Sequence, residues 1–245
     1  MNGKEFPLIN DQMILGGYRV IKKLDVRSNN SLYIVENESN IANAENVDEE
    51  QHSYDNKYQI MKAIPYQTSD EKCYADQEIN IVNFLRYNKS FVVYDETFEE
   101  EIEVEFMDGS KKCKCQKNYM FAIMKFYIHN DLEKEVSKCR KGMCEEVIID
   151  ILYQVLKALK FLKDNGIVHH DIKLANILII DVEPLTIALT DFEFAEVLNA
   201  GQNTDSDWGT PIYMAPEILM NKEHRMEVDM WALGVCAYRL DSRTY

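Results

Sequence analysis

The amino-acid sequence predicts an α+β protein in which a sheet-rich first part precedes a helix-rich second part. The first part contains three short runs with strand character, YRVIKKL (18–24), SLYIV (31–35) and YQIMKAI (58–64), separated by polar loops. The second part has apolar residues at helical spacing over 145–164, where Asn165-Gly166 ends the pattern. With 245 residues, of which 46% are hydrophobic, the chain is long enough to bury a sizeable core.

Further elements complete the predicted order. A helix is expected from Asp70 to about Tyr87, because Thr68 and Glu71 fit a capping box and apolar residues recur at helical spacing after them. Two more runs, FVVYDETF and YMFAIMKF, have strand character. We expect the strands of the first part to form an antiparallel sheet.

The net charge of −15 resides in two acidic stretches. Residues 36–55 hold seven carboxylates and residues 95–108 hold eight, and neither stretch contains Lys or Arg. Because dense like charges repel and stay hydrated, we interpret both stretches as solvated surface insertions, with a docking surface for basic substrates as the alternative. Lysines that follow the second stretch can fold back on it: Lys111, Lys112, Lys114 and Lys117. The local excess of carboxylates disfavours nucleic-acid binding.

Cysteine spacing and the start of the chain bear on the cellular setting. The six cysteines show no C-x-x-C pair, which predicts reduced thiols and no structural zinc. No apolar run approaches the roughly 18 to 20 residues that span a bilayer. The first residues resemble neither a secretion signal nor a myristoylation site. We therefore expect a cytoplasmic or nuclear protein with no membrane contact.

The most specific sequence features follow the long predicted helix. The segment IVHHDIKLANILII places Asp171, Lys173 and Asn176 on one short loop before an apolar strand. Twenty residues after Asp171, LTDFEFAEV presents Asp191 at the end of another strand. The chain continues with GTPIYMAPEIL and, after a gap, VDMWALG. Taken singly, each motif is weak, but their order and spacing make the set specific.

This set of motifs resembles that of eukaryotic protein kinases of the serine/threonine type, from about Tyr18 to the end of the chain. The resemblance implies a bilobal protein-kinase-like fold, with a small antiparallel-sheet N-lobe that contains one helix and a helical C-lobe truncated after its central helix. The implied divisions are an N-terminal extension (1–17), an N-lobe and hinge (18–127) with acidic insertions near 36–55 and 95–118, and a partial C-lobe (128–245).

The resemblance also implies ATP- and Mg²⁺-dependent phosphoryl transfer to serine or threonine hydroxyls of protein substrates. Asp171 would accept the proton of the substrate hydroxyl, and Lys173 would neutralise charge on the moving phosphoryl group. Asn176 and Asp191 would supply the oxygen ligands that Mg²⁺ prefers. Turn capping is the alternative role for the two aspartates. His169 matches a structural histidine of the family and receives no chemical role.

The same resemblance implies a nucleotide site. Lys62 would contact the non-transferred phosphates, and Glu78, sixteen residues on, would hold Lys62 by an ion pair. Taken alone, these two residues fit a surface lysine and a solvated helix face equally well. The residues expected around adenine are Leu24, Leu32, Ile60, Met124, Lys125, Phe126, Tyr127 and Leu178. Ordinary core packing explains Leu178 equally well without a ligand.

Substrate class and regulation have local signals. Lys173 and the Gly209-Thr210-Pro211 tripeptide fit serine or threonine acceptors. Thr204 and Ser206 are candidate phosphorylation sites in the segment 194–208. His170 stands where many family members have an arginine that pairs with a phosphorylated activation segment, and a neutral imidazole would do this poorly. We therefore expect activity that does not depend on phosphorylation of that segment.

Several residues depart from the family pattern. Asp25, Arg27 and Asn30 replace the three glycines of the phosphate loop, which predicts a looser hold on the nucleotide. Ile60 replaces a small residue over adenine, and Glu193 replaces the glycine of D-F-G. These changes point to weak ATP affinity or to a second hypothesis, a pseudokinase scaffold.

A third hypothesis also remains open from the sequence. The run HHDIKLANIL followed by LTDFEFAEV also resembles choline- or aminoglycoside-type kinases, which gives a small-molecule kinase as the third hypothesis.

The chain ends at Tyr245, soon after the helix that begins near Asp229, so we expect apolar residues on that helix to lack cover or to meet a partner protein. Those residues are Trp231, Leu233 and Val235.

Overall fold

The structure is a computed structural model that describes residues 9, 12–24, 30–39, 57–108, 111–139 and 143–241, with side chains outside the description at 104–108 and 111–113. It divides into two compact units. The first unit comprises Met1–Asp76 and Tyr94–Phe126, and the second comprises Gln77–Val93 and Tyr127–Tyr245. Most of the acidic stretch 36–55 lies outside the described residues, as do Asp25 and Arg27.

An antiparallel sheet forms the body of the first unit, as the sequence predicts. Its strand order is β1-β2-β3-β4-β6-β5, and every neighbouring pair is antiparallel. The strands are β1 (Ile14–Leu15), β2 (Tyr18–Leu24), β3 (Ser31–Asn37), β4 (Tyr58–Tyr66), β5 (Glu96–Asp108) and β6 (Lys111–Lys125). The predicted strands at 18–24, 31–35 and 58–64 coincide with β2, β3 and β4.

One face of this sheet carries the hydrophobic core of the first unit. Val20, Val35, Met61, Phe121 and Ile123 belong to one buried cluster. These residues alternate along their strands with residues that point to the opposite face, because successive side chains of a strand alternate. The strands therefore have a second, separate face.

The second acidic stretch, residues 95–108, is not a solvated loop as predicted, because most of it is a β-strand. Residues Glu96–Asp108 form strand β5, which pairs along its whole length with β6. Ile102 is buried in the core cluster, whereas Glu101 and Glu103 are exposed, so apolar and charged residues alternate as in a strand with one buried face. Lys114 does fold back on the stretch, since its Nζ lies 2.5 Å from Glu103 Oε1.

Helix α1 (Ser69–Leu85) begins at the predicted capping box. The Glu71 backbone N–H donates to Thr68 Oγ1 at 3.2 Å, and Glu71 Oε2 accepts from the Thr68 backbone N–H at 3.3 Å. Two backbone donors at the helix start are thus satisfied reciprocally. This confirms the predicted helix to within two residues at each end.

The second unit is mainly helical. Helix α3 (Glu145–Asp164) coincides with the predicted helix. It buries its apolar face against strand β9 (Leu185–Leu189) and helix α5 (Glu227–Asp241). The helices are α2 (Leu132–Lys138), α3, α4 (Pro216–Leu219) and α5 (Glu227–Asp241). Two small antiparallel pairs join β7 (Ile167–Val168) to β10 (Glu196–Val197) and β8 (Ile177–Val182) to β9 (Leu185–Leu189). The architecture confirms the predicted α+β class.

Two local predictions need correction. The run 91–98 is not one strand, because only 96–98 belong to β5, while Phe91 and Val92 run beside Leu189. On α5, Leu233 is buried, because it lies on the face that packs within the second unit, and Val235 is half-buried. Trp231 is about half exposed, as expected. Within the described ranges, no helix combines the length and apolar character that a membrane span requires.

Gly166 ends α3 in a conformation that favours glycine, which gives a stability prediction. Its φ is +70°, and a Cβ built on it would lie 2.5 Å from the backbone oxygen of Leu198. We expect Gly166→Ala to lower the free energy of unfolding by roughly 2 to 3 kcal/mol, because the residue would be strained and would displace a backbone. Urea unfolding followed by circular dichroism measures the change.

Gly234 provides the matched control. It lies in helix α5, and a Cβ there would meet nothing within 4 Å. Gly234→Ala should raise the free energy of unfolding by about 1 kcal/mol, since alanine restricts the unfolded chain and favours helix. Equal effects of the two substitutions would contradict the assignment.

Candidate active site

The loop between β7 and β8 brings the three predicted catalytic-loop residues together. Lys173 Nζ donates to Asp171 Oδ2 at 2.6 Å, and Asn176 Nδ2 donates to the same oxygen at 3.0 Å. Asn176 Nδ2 also donates to the Asp171 backbone oxygen at 2.9 Å. Asp171 is 2% exposed. A buried carboxylate is costly unless it is hydrogen-bonded, and these two donors stabilise its charge.

Thr210 supplies a hydroxyl to this cluster from a distant part of the chain. Its Oγ1 donates to Asp171 Oδ1 at 2.7 Å and accepts from Lys173 Nζ at 3.0 Å. The carboxylate therefore accepts a hydrogen bond from an aliphatic hydroxyl beside a lysine ammonium. This is the geometry that proton transfer from a serine or threonine hydroxyl requires.

Gly209 lets the Thr210 segment approach the catalytic loop closely. Its φ is +121°, and an added Cβ would lie 2.5 Å from the backbone oxygen of His170. A side chain at this position would force the two backbones apart. The contact thus depends on the absence of a side chain.

A buried aspartate at the start of α5 holds the catalytic loop. Asp229 Oδ2 accepts from the His169 backbone N–H at 2.8 Å, and Oδ1 accepts from the His170 backbone N–H at 3.0 Å. Burial raises the pKa of Asp229, and the hydrogen bonds from the two backbone N–H groups oppose that shift. No role for Asp229 was predicted from the sequence, although an acidic residue in the first turn of an apolar helix is a local signal for one.

His169 packs as the resemblance predicts for a structural histidine. Its ring centroid lies 4.7 Å from that of Phe192, and its Nε2 lies 3.3 Å from the Thr190 backbone oxygen. The Asp171 backbone N–H donates to His169 Nδ1 at 3.3 Å. The imidazole thus supports the loop that carries Asp171 from beneath.

His170 is a buried histidine in an unusual environment. Its φ is +64°, its Nε2 lies 3.9 Å from Glu196 Oε2, and its ring centroid lies 5.4 Å from that of His224. Burial lowers the pKa of His170 to about 4, and the nearby Glu196 carboxylate only partly offsets this. The imidazole is therefore neutral at pH 7.

The two candidate phosphorylation sites lie beside this histidine environment. Ser206 Oγ donates to Glu196 Oε1, and Thr204 Oγ1 lies 2.9 Å from Ser206 Oγ. Thr204 also pairs through its backbone with His224. The Ser206 hydroxyl and the Glu196 carboxylate hold this part of the chain together by a direct hydrogen bond.

The chain positions of Asn176 and Asp191 fall at the same end of the β8–β9 pair. Ile177 pairs with Leu189, and the Thr190 backbone N–H donates to the Asn176 backbone oxygen at 3.0 Å. Because Asn176 uses its amide nitrogen toward Asp171, its amide oxygen is the atom suited to a cation. A carboxylate and an amide oxygen on adjacent segments form a donor set that fits Mg²⁺.

The residue after Phe192 is accommodated without left-handed strain. Among the described non-glycine residues, positive φ occurs at Gln12, His170, Asp191 and Asn221, and Glu193 is not one of them. The conformation that favours glycine therefore falls on Asp191 itself, where φ is +66°. Glu193 adds a half-buried carboxylate two residues after the candidate metal ligand Asp191.

Predicted nucleotide residues of the first unit share one face of its sheet. Leu24 pairs with Leu32, and Leu32 pairs with Lys62, so the three residues form a row across β2, β3 and β4. Ile60, two residues from Lys62 on the same strand, pairs with Met124. Directly opposed residues of an antiparallel pair lie on one face, and here it is the face opposite the core cluster. Lys62 is only 3% exposed.

The remaining nucleotide residues lie at strand ends or in the second unit. Lys125 is the last residue of β6, and Phe126 follows it. Tyr127, Leu178 and Glu78 belong to the second unit, and Glu78 is buried. Lys62 and Glu78 thus belong to different units, and the ion pair between them stays a prediction. Asn30 is the described residue of the predicted phosphate loop, and it is buried.

Comparison with known proteins identifies the family. The sequence profile of the protein kinase domain matches residues 44–244 of this chain, so the chain belongs to the protein kinase domain family. This agrees with the resemblance inferred from the motifs.

The curated relatives are serine/threonine-protein kinases. The chain is 36% identical over 129 residues to the serine/threonine-protein kinase polo of Drosophila melanogaster, which covers 50% of this chain and 22% of that relative. It is 32% identical over 128 residues to ULK3 of Xenopus laevis, covering 52% of this chain and 27% of the relative. It is 29% identical over 192 residues to Nek3 of Oryza sativa subsp. japonica, covering 77% of this chain and 30% of the relative. The chain spans less than a third of the length of these relatives.

The low pKa of His170 gives a pH prediction. The unfolded histidine takes up a proton near its ordinary pKa of 6.5, whereas the folded one does so only near 4. The contribution of the neutral, buried His170 to the unfolding free energy is therefore fully present above its ordinary pKa of 6.5, and it is lost as the pH falls toward 4. We expect this histidine to account for a loss of about 2 kcal/mol of unfolding free energy between about pH 7 and about pH 5.

Urea unfolding at both pH values, in the wild type and in His170→Asn, measures that contribution. Asparagine tolerates positive φ but does not titrate, so the variant should lose less stability on acidification than the wild type. The titration of Asp229 is common to both proteins and cancels in the comparison. Equal acid sensitivity of the two proteins would rule out a neutral buried His170.

Proposed function

We propose that this chain is a catalytic domain that transfers a phosphoryl group from ATP to serine or threonine hydroxyls of protein substrates. The observation that carries the proposal is the cluster of Asp171, Lys173 and Thr210, in which the buried carboxylate accepts from an aliphatic hydroxyl. Membership of the protein kinase domain family supports it. The names of the relatives support serine or threonine as the acceptor.

Asp171 would orient the substrate hydroxyl and take its proton as the oxygen attacks phosphorus. One carboxylate oxygen faces Lys173 and Asn176, and the other faces the Thr210 hydroxyl. Asp171 Oδ1 is thus the atom that a substrate hydroxyl would use. Lys173 Nζ, which lies within hydrogen-bond distance of both carboxylate and hydroxyl, would offset the negative charge that develops on the phosphoryl oxygens.

Asn176 and Asp191 would hold Mg²⁺, which neutralises phosphate charge when ATP is bound. Lys62 would contact the phosphates, because it is a buried cation on the sheet face that also carries Leu24, Leu32 and Ile60. The apolar residues of the same face would cover the adenine ring.

A pseudokinase scaffold is the second candidate function. The observation that favours it is the buried Ile60, which pairs with Met124 on the predicted adenine face and would narrow the space for an adenine ring. Glu193 adds negative charge beside Asp191, which opposes nucleotide phosphates. We favour the enzyme because the proposed proton acceptor, its lysine and the metal ligands are all present in the chain.

Protein substrates are favoured over small molecules. The segment 209–219 joins the catalytic cluster through Thr210, and small-molecule kinases of the choline or aminoglycoside type lack that segment. The similar proteins are named as protein kinases. We further propose a cytoplasmic or nuclear location, with neither nucleic acid nor membrane as a partner, and a protein that covers the exposed part of Trp231.

Asp171→Asn tests the proposed proton acceptor. The amide keeps the shape of the side chain but cannot take the proton, so transfer of radiolabelled phosphate to a generic protein substrate should fall by at least about 100-fold. Asp181→Asn is the matched control, because Asp181 caps an exposed turn by accepting from the backbone N–H groups of Val182 and Glu183. The control should retain wild-type transfer.

Two results would contradict different parts of the proposal. Equal transfer by wild type and Asp171→Asn would show that another group takes the proton. Transfer to choline but not to protein would favour the small-molecule hypothesis. Thermal unfolding of each variant shows whether a loss of transfer reflects a loss of folding.

Binding of ATP with Mg²⁺ separates the enzyme from the scaffold. A ligand that binds only the folded state raises the melting temperature, by an amount equivalent to about 2.7 kcal/mol at a ligand concentration 100 times the dissociation constant. We expect the wild type to show a shift, and Lys62→Met to lose most of it relative to its own ligand-free state. Lys22→Met, which alters an exposed lysine of strand β2, should keep the shift.

Two outcomes of the same titration would contradict the proposal. A wild type whose melting temperature does not change with ATP and Mg²⁺ would support the pseudokinase. An equal shift in Lys62→Met would remove Lys62 from the nucleotide site.

A further inference from the structure

A bidentate ion pair joins two helices of the second unit. Arg239 on α5 faces Glu133 on α2, with Nη2 to Oε1 at 2.6 Å and Nη1 to Oε2 at 2.9 Å. The two parallel hydrogen bonds form a fork, which fixes direction as well as distance. The side chains are 19% and 26% exposed, so solvent screens the pair less than it screens an open surface pair.

Tyr213 is the third member of this cluster. Its hydroxyl accepts from Arg239 Nη1 and lies 3.5 Å from Glu133 Oε2, and the guanidinium lies 5.6 Å from the ring centroid. Burial raises the pKa of Tyr213 to about 12, so the phenol stays protonated. The ring is buried and its polar end is held by the ion pair.

Tyr213 connects this cluster to the proposed proton acceptor. It ends the 3₁₀ turn Pro211–Tyr213, and its backbone N–H donates to the Thr210 backbone oxygen at 2.9 Å. Thr210 begins the turn and contacts Asp171 and Lys173 through its hydroxyl. The turn is thus fastened at one end to the catalytic loop and at the other end to α2 and α5.

The ion pair of Lys160 and Asp164 in the same unit has a different character. Lys160 and Asp164 lie one turn apart on α3, and their side chains are 75% and 57% exposed. Such a pair contributes little to stability and fixes no second element. The pair of Glu133 and Arg239 joins residues 106 positions apart and contacts a third element.

We propose that Glu133, Arg239 and Tyr213 form a clamp that positions the turn Pro211–Tyr213 for phosphoryl transfer. Arg239 is a positioning residue: it acts through Tyr213 on Thr210, and Thr210 in turn acts on the Asp171 and Lys173 side chains. The catalytic part of this inference rests on the proposed function. The structural part, that the clamp orders the turn, stands without it.

The test uses the full chain and two variants that weaken the clamp differently. Arg239→Met removes the guanidinium, and Tyr213→Phe removes only the hydroxyl while the buried ring stays. Both should raise hydrogen exchange at the Tyr213 and Met214 amides at least about tenfold. Both should lower kcat for a protein substrate on the order of tenfold, since small misplacements near the reacting groups are costly, with KM for ATP unchanged.

Control variants separate positioning from general stability. Lys160→Met removes an exposed ion pair of the same unit and should change neither amide exchange nor kcat. Arg239→Lys keeps the charge without the fork and should recover only part of kcat. The double variant Glu133→Arg/Arg239→Glu restores opposite charges and should slow exchange again relative to Arg239→Met.

Each outcome bears on a different statement. Wild-type exchange at Tyr213 and Met214 in both Arg239→Met and Tyr213→Phe would overturn the clamp. Faster exchange with unchanged kcat would overturn the positioning role and leave a purely structural one. A wild type that transfers no phosphate would refute the proposed function, and the exchange measurement would still decide whether the clamp exists.

Discussion

The loop that carries Asp171 depends on one buried carboxylate. The Asp229 carboxylate accepts hydrogen bonds from the backbone N–H groups of both His169 and His170. These bonds tie the start of α5 to the residues immediately before Asp171. A buried carboxylate without donors would be strongly unfavourable, and the two backbone N–H groups need an acceptor, so each side of the contact requires the other. The backbone of His170 is held at positive φ, and its carbonyl oxygen faces Gly209. Helix, loop and the Gly209 segment therefore form one connected arrangement.

The segment from Gly209 to Tyr213, whose only regular structure among the described residues is the short 3₁₀ turn Pro211–Tyr213, is positioned by contacts with other parts of the chain. Gly209 contacts the His170 backbone, Thr210 contacts Asp171, and Tyr213 contacts Arg239. Each contact is of a different kind: close backbone approach, a hydroxyl to a carboxylate, and a phenol to a guanidinium. Loss of one leaves two in place, so individual substitutions are expected to loosen the segment without unfolding the unit.

Local patterns in the sequence predicted what local interactions determine. The period of α3, the capping box of α1 and the short spacing of Asp171, Lys173 and Asn176 all concern residues that are close in the chain. The stretch 95–108 was misjudged because its charge density outweighed the alternation of apolar residues within it. The contacts of Asp229 and Arg239 join residues 60 and 106 positions apart, and no local pattern encodes such partners. They follow from how the helices pack.

Strand β5 lies at the edge of the sheet, and this position has a consequence for association. An edge strand offers unpaired backbone groups to any other strand, including the same strand of a second copy. Glu99, Glu101 and Glu103 stand at alternate positions along β5 and are exposed. Two such edges placed side by side would bring carboxylates into opposition at the spacing of a strand pair, about 5 Å. Glu99 pairs with Lys72 and Glu103 with Lys114, so the repulsion is partly offset, and we expect the acidic residues to disfavour rather than prevent lateral self-assembly of the sheet.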